Sequence, residues 1–481
     1  MTVSSDASRK FLAPLVHLSN NWLSLIGVVI VTTATVLWLF LLPTTLRGQV
    51  THPYVGILVY LLLPVIFVAG LVLIPLGMLW QRRRENQKSL YPRDFPPLTW
   101  ANPDFRRLAI FIALTTVANF IIGSQFAYGA VNYMDSVEFC GATCHVVMQP
   151  EFSAYQNSPH SRVECAACHI GPGASWFVKS KLAGTGQLFA VMFNTYPRPV
   201  PSPVESLRPA RETCEVCHWP QRSSSDLLRV VPHYAEDATN SSTKTVLLLK
   251  VGGGDLVTSI HGMHVGSGVR IRYAASDESR QTIPWVEYTS ADGHKTTYSA
   301  DPKSPGPGNL PIREMDCIDC HNRPSHAFQL PDRALDQALA AGEMSPALPF
   351  VKKQGLALLK KAYASQDEAA REIPAALASY YQKSYPDVYQ RDVATVANAG
   401  KALVEIYSRN VFPAMKVTWG THPNNIGHTD FPGCFRCHDG SHTNAQGTAV
   451  SQDCAACHNL LAVDEAAPKI LTELGMAGAA K

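Results

Sequence analysis

All twelve cysteines of the chain stand in six close pairs, and a histidine directly follows the second cysteine of every pair. In five pairs two residues separate the cysteines, and in the first pair three do. The Cys-x-x-Cys-His pattern is typical of c-type haem attachment, because two thiols form thioether bonds to one porphyrin and the adjacent histidine binds its iron. The motifs are Cys140/Cys144/His145, Cys165/Cys168/His169, Cys214/Cys217/His218, Cys317/Cys320/His321, Cys434/Cys437/His438 and Cys454/Cys457/His458.

Two other uses of paired cysteines explain this pattern less well. Zinc ribbons also contain Cys-x-x-Cys, but a zinc site does not require a histidine directly after the second cysteine. Disulfide geometry does not require that histidine either. The sequence therefore predicts six covalently attached haem c groups, five on Cys-x-x-Cys-His motifs and one on the unusual Cys-x-x-x-Cys-His motif at Cys140.

An electron-carrying haem usually needs a second axial ligand. Ligation by two histidines gives low potentials, whereas a methionine ligand raises the potential. Met148 follows His145 by three residues and is either a ligand of the first haem or an ordinary apolar contact. His233 and His294 suit surface or hydrogen-bonded positions better. The remaining histidines are candidate distal ligands because most lie near the motifs: His160, His261, His264, His326, His422, His428 and His442.

Three uncharged apolar segments occupy residues 21–42, 54–80 and 108–128, and only 16% of all residues are charged. Each segment exceeds the roughly 20 residues that a helix needs to cross the hydrocarbon core of a membrane. A buried core helix is the alternative for each segment. The pattern predicts an N-terminal region of three transmembrane helices within residues 1–130, the first being a retained anchor and not a cleaved signal peptide.

The basic residues predict the orientation. Seven arginines and lysines lie between residues 81 and 107, whereas residues 43–53 contain only Arg47. Because basic loops stay in the cytoplasm, the N-terminus should be cytoplasmic and everything after about residue 133 should lie outside. We expect a multi-pass protein of the inner membrane with its haem domains in the periplasm. The net charge of +3 does not favour a nucleic-acid partner.

The outer portion should be mostly helical and irregular, with a small β-rich insert. Residues 131–225 and 306–481 contain three motifs each, whereas residues 226–305 contain no cysteine and show strand-like runs. Apolar residues recur at helical spacing through 348–359 and 393–407. Pro374 and Pro386 are expected to interrupt the helical pattern.

Residues 133–184, which contain the first two motifs, resemble the NapC/NirT family of membrane-anchored multihaem cytochromes. The specific resemblance covers about residues 107–220. The stretches MDCIDCHNRPSH, HPNNIGH and GCFRCHDGSH resemble larger inner-membrane cytochromes related to this family in metal-respiring bacteria. The resemblance implies that the protein takes electrons from membrane quinol, with the first haem at the membrane surface. The extra residue in the first motif and the two extra helices depart from the family pattern.

The resemblance also implies a quinol site that includes a lysine after the second haem. Lys179 and Lys181 occupy that neighbourhood, although Gln187 stands where an acidic residue is expected. Without the resemblance, both lysines would suit an ordinary interfacial position. Asp135, Glu138 and Glu151 are candidate proton acceptors, and each also suits a solvated surface position.

The preferred interpretation is a quinol-oxidising cytochrome that passes electrons from a quinol, menaquinol being expected, to a periplasmic cytochrome or reductase. Two alternatives remain open. One is a non-catalytic wiring subunit that receives electrons from a membrane partner through the extra helices. The other is a multihaem reductase in which one haem lacks a distal ligand, for which the irregular first motif is the natural candidate.

Overall fold

The computed structural model describes residues 14–15, 17–19, 21–24, 26–32, 34–35, 62–91, 100, 103–143, 145–204, 207–219, 226–252 and 258–476. The chain divides into two compact units, Met1–Asp135 and Ser136–Lys481. The predicted segments at 36–42 and 54–61 lie outside the described residues. We describe each unit by itself.

The N-terminal unit contains two long helices, α1 (Leu63–Gln87) and α2 (Pro103–Asp135). Among the described residues, one helix is long and apolar enough to cross a membrane, and it is α1. Its side chains Val65, Val68 and Leu79 are exposed, as suits a surface facing lipid. Helix α2 includes the third predicted segment, so that segment is helical, and its passage through a membrane stays a prediction.

A shorter apolar helix, Trp22–Thr32, packs closely on α1. A Cβ atom added to Gly27 would lie 2.8 Å from the carbonyl oxygen of Gly70, so these two backbones touch. The hydroxyl of Ser24 donates to the carbonyl oxygen of Ile74 at 2.9 Å. Small residues and a hydroxyl at the contact are the usual way in which apolar helices associate inside a membrane.

The second unit begins with a π-helical turn, Phe139–Thr143, and four helices. These are α3 (His145–Gln156), α4 (Cys165–His169), α5 (Ala174–Met192) and α6 (Ala210–Cys214). Gly141 lies against the ring of Phe152, and a Cβ atom there would approach the ring to 2.3 Å. The first motif therefore rests directly on α3, and a larger residue at position 141 would displace it.

Two antiparallel sheets follow. The first has the strand order β1-β2-β7, and the second has the order β5-β4-β3-β6. Helix α7 (Ile260–Val265) lies between their strands in the sequence. The strands are β1 (Leu227–Tyr234), β2 (Ser242–Leu249), β3 (Arg270–Ala274), β4 (Trp285–Thr289), β5 (Lys295–Ser299), β6 (Ile312–Glu314) and β7 (His458–Glu465).

The β-rich character expected for residues 226–305 is present, but two strands come from beyond that range. Strand β7 begins at His458, inside the last motif, and pairs with β2, where Val246 lies opposite Ala462. Residues 458–465 are thus a strand in a region expected to be helical. Sequence patterning did not indicate this strand because its partner, β2, lies more than 200 residues away.

The fourth motif forms α8 (Cys317–Cys320). Five helices after it form a bundle that contains none of the motifs, namely α9 (Pro331–Ala340), α10 (Val351–Lys360), α11 (Gln366–Ser384), α12 (Pro386–Arg391) and α13 (Val393–Asn410). Helix α14 (Cys454–Cys457) belongs to the sixth motif, and α15 (Lys469–Glu473) follows it. The core of the bundle contains Leu335, Leu359, Ile373 and Leu403. The helical periodicity at 348–359 and 393–407 is confirmed.

Pro374 behaves differently from the expectation, whereas Pro386 interrupts the helical pattern as expected. Pro374 lies inside α11 and does not end it, whereas Pro386 stands at the first position of α12. A Cβ atom on Gly400 would lie 3.1 Å from Pro374, so α13 approaches α11 at this point. The missing N–H of Pro374 is tolerated because tertiary packing holds the helix, and Pro386 starts a helix where no N–H is needed.

Candidate haem sites and the order of the motifs

Each regular motif forms one short helical turn. The backbone N–H of His218 donates to the carbonyl oxygen of Cys214 at 2.7 Å, and that of His321 donates to Cys317 at 2.8 Å. At the fourth motif Asp316 and Asp319 form a capping box that starts the turn. One turn of helix brings the two cysteines of a motif to the same side. The local sequence thus places both thiols where one porphyrin can reach them.

The third motif departs from the usual burial of cysteine. Cysteine is among the residue types most often buried, whereas Cys217 is exposed, and so is the adjacent His218. The backbone N–H of Cys217 donates to the carbonyl oxygen of Cys214 at 3.1 Å, and the neighbouring side chains Val216 and Trp219 are exposed as well. The turn therefore lies at the surface of the unit, which motif spacing does not indicate. Attachment of haem through Cys217 stays a prediction, and the exposed thiol is accessible to a porphyrin vinyl group.

The other described motif cysteines differ in how exposed they are. Three are exposed, namely Cys168, Cys434 and Cys454. The rest are partly buried, namely Cys140, Cys165, Cys214, Cys317, Cys320, Cys437 and Cys457. Partial exposure at every motif is suited to covalent attachment of a large group.

Five of the six motif histidines face a second histidine across a gap. Two imidazoles that bind one iron from opposite sides have ring centroids about 6 Å apart. On each side the iron lies about 2 Å from the ligand nitrogen, and that nitrogen lies about 1 Å from the centroid of its ring. The observed centroid distances are 6.2 Å for His169–His326, 5.8 Å for His218–His160, 6.3 Å for His321–His261, 5.9 Å for His438–His264 and 6.1 Å for His458–His428.

The hydrogen bonds of these imidazoles leave one nitrogen available for metal. In five of them Nδ1 lies within hydrogen-bond distance of a backbone carbonyl oxygen, so it carries the proton and Nε2 has a free lone pair. A second partner of this kind is what orients metal-binding histidines. The contacts are His160 to Pro324 at 3.2 Å, His261 to Gly252 at 3.1 Å, His264 to Ile260 at 2.7 Å, His326 to Glu151 at 2.9 Å and His438 to Ser451 at 2.7 Å.

The protonation states of the paired histidines also suit ligation. Burial lowers the pKa of His169, His264, His321 and His326. An imidazole must be neutral to bind iron, so burial prepares these side chains for that role. The spacing fits a haem between the members of all five pairs. The tautomers support it at four pairs, and the lowered pKa values support it at the pairs of His169, His321 and His264.

Two of the predicted distal ligands have other surroundings. His442 is buried, and its Nδ1 lies 2.8 Å from the Asp439 carboxylate while Nε2 lies 2.6 Å from the carbonyl oxygen of Ile283. Both nitrogens are therefore occupied. Although partial burial acts in the opposite direction, hydrogen bonds from His442 and Ser441 lower the pKa of Asp439 to about 2. His442 is suited to a structural role.

His422 is the second buried histidine that faces no motif histidine in the part of the chain that the structure describes. Its ring stacks on Phe328 with centroids 5.8 Å apart, and its Nε2 has no hydrogen-bond partner. Burial lowers the pKa of His422 to about 4. The other two histidines have the ordinary surroundings expected of them. Nδ1 of His233 lies 3.4 Å from Asp336, and His294 lies in the exposed turn between β4 and β5.

Comparison with known proteins shows which family the chain belongs to. Residues 103–200 match the N-terminal region of the NapC/NirT cytochrome c family. The chain is also 41% identical over 448 residues to the cytochrome c-type protein ImcH of Geobacter sulfurreducens, covering 92% of this chain and 88% of that protein. The chain belongs to the NapC/NirT family of c-type cytochromes. No solved structure matches it. Covalently bound haem c and membrane-associated electron transfer follow from this membership.

In this NapC/NirT cytochrome the motifs adjoin one another in the order of the chain. The thiols of Cys140 and Cys165 are hydrogen-bonded, which lowers the pKa of Cys165 to about 7, and the thiols of Cys214 and Cys317 are hydrogen-bonded as well. Cys168 of the second motif lies close enough to Cys214 and Cys217 of the third for their charges to interact. The same holds for Cys320 of the fourth motif and Cys434 of the fifth, and for Cys434 and Cys457 of the sixth. Each motif therefore lies beside the next, and the six form a continuous row.

The histidine pairs tie distant segments of the cytochrome together. His160 precedes the second motif but faces the third, and His326 follows the fourth motif but faces the second. His428 precedes the fifth motif but faces the sixth, where the ring of Phe435 stacks on it at 4.2 Å. Proximity in the sequence identified these residues as candidates but did not indicate their partners.

The first motif is described only in part. Cys144 and the side chain of His145 lie outside the described residues, whereas Cys140 and Met148 lie within them. Met148 is half-buried on α3. The axial ligands of a haem at this motif therefore stay a prediction, including the choice between Met148 as a ligand and Met148 as an apolar contact.

The two lysines predicted for a quinol site both lie on α5. Lys179 Nζ is 4.9 Å from the ring centroid of Trp176, and Lys181 Nζ is 4.9 Å from that of Phe177. The same helix exposes Val178 and other large apolar side chains, namely Leu182, Leu188, Phe189 and Met192. An apolar helix with two lysines is suited to a membrane surface. Gln187 lies on the same helix.

The acidic candidates are distributed over different elements. Asp135 is the last residue of α2, Glu138 immediately precedes the π-helical turn, and Glu151 lies on α3. Glu151 is paired with Arg323, whose Nη2 lies 2.8 Å from its carboxylate. Sequence reasoning missed this ion pair because its members are far apart in the chain.

Proposed function

We propose that this cytochrome oxidises a membrane quinol, menaquinol being expected, and passes electrons through six haems to a periplasmic acceptor. The observation that carries the proposal is the continuous row of motifs, five of which have a histidine pair at the spacing of a six-coordinate iron. A row of this kind suits conduction of electrons better than catalysis at one open haem.

The residues of the chain have separable roles in this proposal. The twelve cysteines would hold the porphyrins, and the five histidine pairs would bind the irons at motifs two to six. His160, His261, His264, His326 and His428 would be the second ligands at motifs two to six, which would leave no open position there, and His422 and His442 are not assigned to an iron. Bound haems would supply one-electron redox centres of low potential, as two histidine ligands produce.

Electrons should arrive at the first motif. Cys140 follows the end of α2 by five residues, so a membrane-spanning α2 would hold this motif near the bilayer. Quinol oxidation releases two electrons and two protons, and the electrons leave singly along the row. We assign quinol binding to Lys179 and Lys181 and proton acceptance to Asp135 or Glu138, because the Glu151 carboxylate is already engaged by Arg323.

The proposed topology places the N-terminus in the cytoplasm, three helices in the inner membrane and the second unit in the periplasm. The basic residues around Arg82–Arg84 support this orientation. The acceptor is then a periplasmic cytochrome or reductase at the far end of the row, beside the sixth motif.

The test is anaerobic addition of a menaquinol analogue to the oxidised full-length protein, followed by the haem absorption bands. We expect rapid reduction in the native protein and at least tenfold slower reduction in the Lys179→Gln/Lys181→Gln variant. Lys383→Gln/Lys401→Gln, which removes two lysines from the remote helical bundle, is the matched control and should behave like the native protein. Reduction by dithionite without any reduction by quinol would contradict the proposal and favour a wiring subunit.

A further inference from the structure

The histidine pair at the second motif differs from the others in what contacts it. His326 Nδ1 lies 2.9 Å from the backbone carbonyl oxygen of Glu151 and 3.3 Å from the carboxylate oxygen Oε2 of the same residue. One residue of α3 therefore presents both a dipole and a negative charge to a single imidazole N–H.

Arg323 completes this arrangement. Its Nη2 lies 2.9 and 2.8 Å from the two carboxylate oxygens of Glu151, and its Nε donates to the carbonyl oxygen of His326 at 2.6 Å. The Arg323 side chain is only 5% exposed, and that of Glu151 is 17% exposed. Little water reaches the ion pair, so its field acts on the imidazole with little screening.

Among the residues that the structure describes, no carboxylate forms an ion pair with any of the other paired histidines. Where the structure describes an Nδ1 contact for them, the acceptor is a backbone carbonyl oxygen alone, on Pro324, Gly252, Ile260 or Ser451. A carboxylate beside Nδ1 makes an imidazole a more basic ligand and stabilises the more positive, ferric state of the iron. The second motif is therefore the place where a lowered potential is expected.

We propose that Glu151 is a positioning residue that acts through His326 to lower the reduction potential of the haem attached at Cys165 and Cys168, and that Arg323 moderates this effect. The inference rests on the haem binding in the proposed function and does not depend on quinol oxidation. Because the second motif adjoins the first, its potential would set how strongly reducing a donor must be before electrons leave the first motif.

The test is an anaerobic potentiometric titration of the full-length holoprotein, monitored by absorption and by electron paramagnetic resonance. Glu151→Gln removes the negative charge and should raise one midpoint potential by about 59 mV, which is a tenfold change in the one-electron equilibrium constant. Arg323→Gln leaves the carboxylate without its cation and should lower the same midpoint. Glu372→Gln, which removes a carboxylate from the surface of the helical bundle, should leave every midpoint unchanged.

Opposite signs in the two variants separate this role from a structural one. If the ion pair only held the fold together, both variants would shift the midpoint in the same direction or would show high-spin iron, and the proposal would be overturned. Glu151→Asp keeps the charge and the backbone carbonyl, so it should fold and restore a midpoint close to that of the native protein.

A double variant tests whether the effect passes through His326. His326→Met should raise the midpoint potential of the haem at the second motif, and this shift identifies which component of the titration belongs to that haem. In that background Glu151→Gln should have little further effect, because the imidazole that transmits the charge is gone. An undiminished shift would show that Glu151 acts only through its long-range field and would overturn its role as a positioning residue. Failure of quinol oxidation alone would leave these titrations unaffected.

Discussion

His261 and His264 lie one turn apart on α7 and face two different motifs, with centroid distances of 6.3 Å to His321 and 5.9 Å to His438. One short helix therefore supplies the second histidine to two neighbouring sites. Side chains three positions apart share one face of a helix, so this spacing fixes the two sites close to each other. The β-rich insert contains no cysteine, but through α7 it supplies histidines to two motifs of the row.

The two histidines of α7 should act on separate irons. We expect His261→Ala to convert one haem from low spin to high spin and His264→Ala to convert a different one, since each substitution removes one of two axial ligands. Electron paramagnetic resonance of the oxidised protein measures the change. The mass of each variant should still include all haems, because the cysteines are intact. Conversion of two haems by one substitution, or of none, would contradict the pairing.

His442 should contribute to stability and not to redox chemistry. Replacing His442 with alanine leaves the carbonyl oxygen of Ile283 without this partner in a buried position, which should cost about 1–3 kcal/mol in the free energy of unfolding. Denaturant unfolding measures this cost, and the haem spin states should not change. His294→Ala, at an exposed turn, is the control and should have no measurable effect on stability. A spin-state change in His442→Ala would show that this histidine does bind iron.

His422 should make stability depend on pH. Its pKa is about 4 in the folded protein and about 6.5 when unfolded, so the unfolded chain binds more protons between these values. Stability therefore falls as pH decreases from about 6.5 to 4, by about 3 kcal/mol in total. His422→Phe should flatten that part of the stability profile, whereas His294→Phe should not. An unchanged pH dependence in His422→Phe would show that the histidine titrates normally.

The ion pair between Lys352 and Asp336 should hold the helical bundle together independently of the haems. Neither side chain is exposed by more than 1%. Lys352→Met leaves the buried Asp336 carboxylate without its lysine and should cost about 3–5 kcal/mol, whereas the additional change Asp336→Asn should recover much of the loss. Circular dichroism during unfolding measures the helices, and absorption measures the haems. Equal stability of the single and double variants would argue against this ion pair.

The number of haems can be tested directly by mass. The intact protein should have the mass of its polypeptide plus six haems, and Cys140→Ser/Cys144→Ser should have one haem fewer. A mass corresponding to five haems in the native protein would show that the three-residue spacing of the first motif prevents attachment. Cys454→Ser/Cys457→Ser, at a motif of regular spacing, is the control and should also remove one haem.

The sequence predicted the chemistry of the sites more completely than their pairing. Cysteine spacing identifies each motif locally, because one helical turn suffices to form it. The distal histidines were recognised only as a set, since His326 lies five residues after His321 yet faces His169. His442 lies near a motif and still has both nitrogens bonded elsewhere. Such pairings, like the exposure of Cys217, depend on long-range packing, which neither periodicity nor spacing encodes.

The same distinction applies to the fold. The helices of the bundle were visible as apolar periodicity because each buries one face along its whole length. Strand β7 was not visible, because His458–Glu465 becomes a strand only by pairing with β2. Pro374 was expected to end a helix, and packing against Gly400 allows it to stay inside one. Sequence patterns predict an element where interactions between residues close in the chain are enough to form it.

The position of β7 has a consequence for how the protein is made. Strand β2 lies in the middle of its sheet, and one of its two edges stays uncovered until residues 458–465 have been synthesised. An open strand edge is prone to pair with other chains. Folding must therefore keep a nearly complete polypeptide from aggregating until its last motif arrives, and premature termination near the C-terminus would harm assembly as well as electron flow.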